Sequence, residues 1–213
     1  QVFSLPEPEK RLAVRKKLRF VGQLTPPARI ITAFQFFAVL VQGLLQSMLV
    51  LYTFTRLGWA ERENGYFLGM LGVVSASIQA GLIGRVTRWV GQPPLVKVGL
   101  LFMGTGMFFF AIADRLELLI IGGILNSLGF AFVLPTLASL MSLVSGEEGQ
   151  GASLGVFQSM GSLARLLGPL IGGILFDKLS PSAPFYAGTI LAVLTSFAAF
   201  FLIRGSAFSF KHE

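Results

Sequence analysis

The chain has 213 residues, 54% of them hydrophobic and 13% charged, with a mean hydropathy of +0.74, a net charge of +7 and no cysteine. Soluble domains carry about 25% charged residues, so the bilayer is the better solvent and an ordinary water-soluble enzyme is excluded. The lack of cysteine removes a disulfide framework, a thiolate zinc site and a cysteine nucleophile. With the single histidine, His212, in the C-terminal tail, no metal or other cofactor is expected.

In chain order, residues 1–27 are the one soluble stretch, framed by Pro6 and Pro8 at one end and Pro26 and Pro27 at the other. The run KRLAVRKKLRF mixes cations with Leu12, Val14, Leu18 and Phe20, which fits either a short helix lying on the membrane or a solvated basic linker. The chain opens on Gln1 rather than Met, so sequence upstream is expected. Beyond the linker, the gaps between charged residues mark the spans. Arg29 and Arg56 enclose 26 uncharged residues, Glu63 and Arg85 21, Lys97 and Asp114 16, Glu117 and Glu147 29, and Lys178 and Arg204 25. Glu148 and Asp177 enclose 28 residues broken only by Arg165.

A membrane helix needs about 20 apolar residues, so six are expected, at 30–55, 65–89, 95–113, 117–144, 151–177 and 183–204. Lys97 can send its ammonium to the interface, which lengthens the short third span. These runs lack the alternating polarity of an outer-membrane barrel, and the first is too long for a secretory signal. Short connections at 62–65, 91–94, 114–115, 145–150 and 180–184 carry charge or breakers and leave no room for a second domain. The expected organisation is a cytoplasmic basic linker over 1–27, an all-α six-helix transmembrane bundle over 28–204 and a cytoplasmic tail over 205–213.

Six spans put both termini on one side. That side holds Lys10, Arg11, Arg15, Lys16, Lys17, Arg19, Arg29, Arg85, Arg88, Lys97, Arg204 and Lys211, against Arg56, Arg62, Arg115 and Lys178 opposite. Lysine and arginine set topology, so both termini are expected in the cytoplasm, the expected location being the bacterial cytoplasmic membrane. The positive charge is explained by topology and anionic lipid, and no nucleic-acid partner is expected.

In the fifth span, GVFQSMGSLARLLGPLIGG carries Gly155, Ala164, Gly168, Pro169, Gly172 and Gly173. It resembles the glycine-rich antiporter motif of the major facilitator superfamily. Gly84, Arg85, Val86, Thr87, Arg88, Trp89, Val90 and Gly91 resemble the superfamily's cytoplasmic loop signature, which joins its second and third helices and recurs between the eighth and ninth. Nearly the whole chain is similar to helices seven to twelve of a drug:proton antiporter of the tetracycline-efflux-like group. The resemblance implies two inverted three-helix repeats, a small-molecule substrate, and an N-terminal six-helix half or a second copy as partner. The sequence departs from the pattern in having Arg88 where the loop signature normally carries an acid, and Ala164 for one glycine. No Asp or Glu lies inside a span, so proton coupling is assigned to no residue.

Read without the family, the same glycines let helices approach closely, and Pro169 removes a backbone hydrogen bond and bends the helix. A simple packing seam is the competing reading. Polar residues in lipid are expensive and face protein or water. At about 100° per residue, Thr32, Gln35, Gln42, Gln46 and Thr53 form one stripe on the first helix, and Gln158, Ser162, Arg165, Pro169 and Gly172 share a face of the fifth. Asn126 is the strongest polar group of the fourth span. Gln35, Gln42, Gln46, Asn126, Gln158, Ser162 and Arg165 are therefore the candidate lining of a wet cavity, with interhelical hydrogen bonding as the alternative. The Phe-rich third and sixth spans are expected to face lipid.

Arg165 is the sharpest residue. Near mid-span a charge costs about 2.5–3.5 kcal/mol on insertion scales, so water, amides, backbone carbonyls or a carboxylate of another half must meet it; snorkelling is the alternative. The expected function is part of a secondary active transporter, with proton-coupled efflux of a small amphipathic or drug-like molecule. The other readings are a non-transporting scaffold subunit of a larger complex and a homodimerising half-transporter.

Overall fold

The computed structural model describes residues 24–81 and 83–203, with backbone alone at Ile83 and at 146–149. Leu12, Val14, Leu18, Phe20 and the tail 205–213 lie outside the described residues. Among the described residues all regular structure is helical: α1 (Pro26–Leu57), α2 (Glu61–Gly81), α3 (Ile83–Val90), α4 (Gln92–Ile112), α5 (Leu116–Lys178) and α6 (Ala183–Leu202).

Local chemistry sets the ends. Thr25 caps α1 by accepting from the Ala28 N–H at 3.4 Å, and Pro26 and Pro27 sit where a helix has no use for their missing donors. At the far end Gly58 takes φ 68°, and the N–H groups of Gly58 and Trp59 return to the Phe54 and Thr53 carbonyls. Glu63 begins α2 by accepting from the Ala60 N–H at 3.0 Å, the acidic half of a capping box. Gly91, at φ 82°, turns the chain into α4.

Five stretches are long and apolar enough to cross a membrane: Pro26–Leu57, Gln92–Ile112, Leu116–Ser145, Gln150–Lys178 and Ala183–Leu202. Among the described residues these are five, and the bent pair α2 and α3, at 56° to each other, makes a sixth where the two are counted as one span. The expected single helix over 65–89 is thus two, begun earlier at Glu61; Gly81 and Gly84 flank the bend, where missing side chains lower the cost of leaving the helix. The connection expected at 145–150 is where one span ends at Ser145 and the next begins at Gln150, although the backbone stays helical through it and α5 is counted as one bent helix. Leu134 packs into the cluster of Val39, Leu40 and Ala164. A straight helix would hold residues 134 and 164 about 45 Å apart. The Gln150 amide also reaches the Ser142 hydroxyl, so the axis folds back between them.

The tightest contact is between α4 and the first half of α5. A side-chain carbon on Gly106 would stand 2.7 Å from the Gly122 carbonyl oxygen, and one on Gly122 2.9 Å from that of Gly106. Gly99 and Gly129 meet in the same reciprocal way. Glycines seven apart on each of two antiparallel helices bring the backbones together, which supplies packing energy where lipid supplies no hydrophobic drive. The third span therefore buries one face in the seam and exposes the other, along Val98, Leu101, Thr105, Phe108 and Ile112. Over half of its apolar stretch, 56%, is buried, against 22% for 150–178.

Opposite ends of the bundle are pinned by hydrogen bonds. Tyr52 Oη donates to the Ala113 carbonyl at 2.8 Å, with Phe185 edge-on to its ring at 4.8 Å, and Ser196 Oγ donates to the Lys97 carbonyl at 2.9 Å. These bonds hold α1, α4 and α6 around the seam.

Candidate functional site: a polar face beside a glycine contact

The second half of α5 presents two neighbouring faces. Gly161, Ala164, Gly168 and Gly172 fall within an arc of about 80° and pack on α1. A carbon on Gly168 would lie 2.8 Å from Gly43 Cα, and one on Gly172 3.0 Å from Met48. Gly155, Gln158, Ser162, Arg165, Pro169 and Gly173 occupy the next arc of about 80°. Of these, all but half-buried Gly173 are exposed, and nothing stands within 4 Å of where Gly155 or Gly173 would carry a side chain. The glycine-rich motif thus divides. Ala164, Gly168 and Gly172 make a helix contact; Gly155, Pro169 and Gly173 sit on an open strip with the polar residues. Gly172 joins the packed face rather than the polar one.

On the open face Ser162 Oγ donates to the Gln158 carbonyl at 3.0 Å. Arg165 has no hydrogen bond or ion pair among the described residues. Its mid-span charge is held out from the bundle, with exposed Leu166 and Leu170 beside it.

The α1 stripe has a different character at each level. Thr32 is satisfied by the Ala28 carbonyl at 2.8 Å. Gln35 is buried, its amide nitrogen 2.7 Å from where Gly161 would carry a side chain, so that glycine makes room for the amide. Gln42 is half-buried and Gln46 exposed. Thr53 Oγ1 donates to Asn64 Oδ1 at 2.6 Å, and Asn64 in turn donates to the Ala60 carbonyl at 3.1 Å, which ties α1 to α2. That end of the stripe is structural. Above it opens a cavity of about 850 Å³ lined by residues that include Phe54, Trp59, Glu61 and Asn64.

Among the described residues three side-chain polar atoms are buried without a partner: Gln35 Oε1, Gln42 Oε1 and Asn126 Nδ2. Each such group costs about 1–3 kcal/mol, so each marks a place where water, ligand or another chain has something to gain. Asn126 lies at the seam, its backbone against Gly106.

The described carboxylates Glu61, Glu63, Asp114, Glu117 and Asp177 are exposed and lie at helix ends. Hydrogen bonding from the Arg115 guanidinium holds the Asp114 carboxyl below its ordinary range, the opposite of what a proton carrier near neutral pH needs. No cluster of metal-binding residues occurs among the described residues. Of the loop signature, Gly84, Arg85 and Arg88 are in helix α3, with Arg88 Nε donating to the Gly84 carbonyl at 3.1 Å; only Gly91 is a turn residue. The sequence reading missed the α4–α5 seam and Gly43. Their signal was the repeated seven-residue spacing of Gly99 and Gly106, and of Gly122 and Gly129.

Residues 31–209 match the sequence profile of the Major Facilitator Superfamily. The chain is 26% identical to Multidrug resistance protein 1 of Bacillus subtilis (strain 168) over 196 residues, 89% of this chain and 49% of that protein. It is also 26% identical to the class B tetracycline resistance protein of Escherichia coli, over 84% of this chain and 44% of the relative. In structure it resembles the human organic anion transporter MFSD10 (TETRAN), with a TM-score of 0.75 and 26% identity, over 81% of this chain and 40% of that one. The chain therefore spans about half the length of these relatives.

Proposed function

Since the chain belongs to the Major Facilitator Superfamily, we propose that it forms the C-terminal six-helix half of a secondary active transporter that exports a small amphipathic or drug-like molecule in exchange for protons. Both termini face the cytoplasm of a bacterial cell, with an N-terminal six-helix half as partner. The observation that carries the reading is the open polar face of α5, where Arg165 lies without a partner at mid-membrane beside Gln158 and Ser162. A charge stays in a membrane helix only if it meets water or a partner, and alternating-access transporters place a wet site between their two repeats at this depth. Similarity to a multidrug resistance protein and a tetracycline resistance protein supports the substrate class and the direction. The described carboxylates are all at helix ends, so the proton-carrying acid is assigned to the partner half.

Efflux by the intact transporter, with protein abundance measured in the same cells, tests this. Arg165→Leu should abolish efflux at normal abundance. Arg165→Lys should impair it, because lysine keeps the charge but loses the planar fork of donors. Wild-type efflux in Arg165→Leu would overturn the assignment.

A further inference from the structure

The short helix α3 carries a charged face that neither the packing of the bundle nor the open strip of α5 uses. α2 alone has 21 residues, about 31 Å of helix, close to the ~30 Å thickness of the hydrocarbon core. α3 therefore begins where that core ends, and it turns 56° away from α2. Gly91 follows it and the apolar run of α4 starts at Gln92, so α3 lies between the ends of two spans. Its Val86 is half-buried against the cluster of Ile78, Leu95 and Phe132. Arg88, Arg85 and Trp89 fall within an arc of about 100° on another side of the helix, and all three are exposed. Trp89 is 89% exposed, the most open of the large apolar side chains among the described residues. Arg85 has no hydrogen bond or ion pair among the described residues, and Arg88 spends only its Nε, on the Gly84 carbonyl at 3.1 Å.

We propose that the outer face of α3 is a docking surface for anionic phospholipid, with headgroup phosphates on the Arg85 and Arg88 guanidinium groups and the Trp89 ring at headgroup level. Three observations carry it. Indole joins an apolar body to a single N–H donor, a pair of needs that the membrane interface meets and bulk water does not, and Trp89 is left almost bare by the rest of the chain. Arg85 and Arg88 stand three apart on the helix, so they are neighbours about 5–6 Å apart at Cβ. Two guanidinium groups so placed hold a phosphate, or two adjoining ones, through charge-assisted hydrogen bonds. Charge then selects the lipid. The described carboxylates Glu61, Glu63, Asp114, Glu117 and Asp177 all lie at the opposite end of the bundle. At the α3 end Lys97 adds a further cation, its ammonium 5.2 Å from the Phe200 ring centroid. An anionic headgroup brings net charge to these cations, whereas a zwitterionic one offsets its phosphate with its own cation. The surface does not depend on what the transporter carries or on which leaflet is cytoplasmic.

The chain has two tryptophans, so Trp59→Phe leaves Trp89 as the single fluorescent reporter. That variant of 1–213, in vesicles of equal parts phosphatidylglycerol and phosphatidylcholine with brominated acyl chains on one lipid or the other, tests the proposal by quenching. Bromine on phosphatidylglycerol should quench Trp89 about two- to fivefold more strongly than bromine on phosphatidylcholine. Arg85→Gln combined with Arg88→Gln should erase the difference, while Arg62→Gln, which removes an exposed cation at the opposite end, should leave it; circular dichroism checks that each variant keeps its helices. Equal quenching by the two lipids before the arginines are changed would overturn the surface, and is the result expected if they pair instead with Glu147 or Glu148 of the α5 turn at the same end. Quenching by neither lipid, or an unchanged difference in the double arginine variant, would overturn it as well. In the intact transporter, with any tryptophans of the other half replaced, the difference should persist; its loss there would show that the other half covers α3 and would equally sink the proposal. Because the readout is contact with lipid, none of these results bears on the transporter assignment.

Discussion

The seam between α4 and α5 and the second half of α5 are both rich in glycine, yet they do opposite things. At Gly99, Gly106, Gly122 and Gly129 the missing side chain is replaced by the backbone of the neighbouring helix. At Gly155 and Gly173 it is replaced by nothing, and the surface there is polar and open. Glycine in a membrane helix therefore marks a close approach only when a neighbour stands opposite, whether another glycine, as at the seam, or a side chain, as Gln35 at Gly161 and Met48 at Gly172. Where none does, the residue keeps the surface small beside exposed groups such as Ser162 and Arg165.

The comparison is most easily broken at Gly129. Gly129→Ala would push a carbon into the Gly99 carbonyl and to 2.6 Å from the Met103 nitrogen, backbone atoms that cannot swing aside. Overpacking of this kind costs about 1–3 kcal/mol, and thermal unfolding in detergent should show it as a lowered midpoint. The same change at Gly155 or Gly173 should be neutral or slightly stabilising, by up to about 1 kcal/mol, since alanine is the better helix former. Equal losses at both positions would erase the distinction. Gly168→Ala, against Gly43 at 2.8 Å, should also destabilise, and enlarging Gly43 in the same chain should make the loss worse than additive.

A smaller effect concerns the orphaned amide. Gln35→Leu removes a buried carbonyl oxygen that has no partner, so the isolated chain should be as stable or slightly more stable. Efflux by the intact transporter should fall if that oxygen serves the cavity. A loss of stability in the isolated chain, read by the same unfolding assay, would show that the oxygen has a partner after all. The smallest perturbation is topological. Single cysteines at Glu61 and Leu179 should react with an impermeant reagent from outside the cell. Both positions are exposed, unlike Ser182, which is buried and accepts from Arg56 at 3.4 Å. Labelling only from the cytoplasmic side would invert the assigned orientation.

The spans were legible because desolvation is severe: a long run of uncharged residues bounded by charges of either sign has few alternatives to crossing the bilayer. The turn of the chain between the fourth and fifth spans at 145–150 was legible too, from its glycines and acids, whereas the bend after Gly81 was not, since it does not change the apolar count. For α4 the sequence showed the exposed apolar stripe of Val98, Leu101, Phe108 and Ile112 but not the packed face opposite it. FMGTGMFFFAIA reads as lipid-facing by its phenylalanines, but its position is set by Gly99 and Gly106, whose effect depends on glycines elsewhere in the chain. The polar stripe of α1 was seen as one surface. The second half of α5 packs on α1 at Gln35, Gly43 and Ser47, and the stripe is buried at Gln35, half-buried at Gln42 and exposed at Gln46. Periodicity gave the face of one helix; the path of its neighbour was not written in it.

The central claim is that the open face of α5 meets water within the membrane, and the absence of cysteine permits a direct measurement. In the intact transporter, freed of any cysteines elsewhere and held in a bilayer, Gln158→Cys and Ser162→Cys should react readily with a small water-soluble thiol reagent. Ile190→Cys and Phe197→Cys, on the exposed apolar side of α6, should stay unreacted. If Gln158→Cys and Ser162→Cys stay as unreacted as the α6 pair, or only the α6 pair reacts, the α5 face meets lipid or solid protein and the account of Arg165 is wrong.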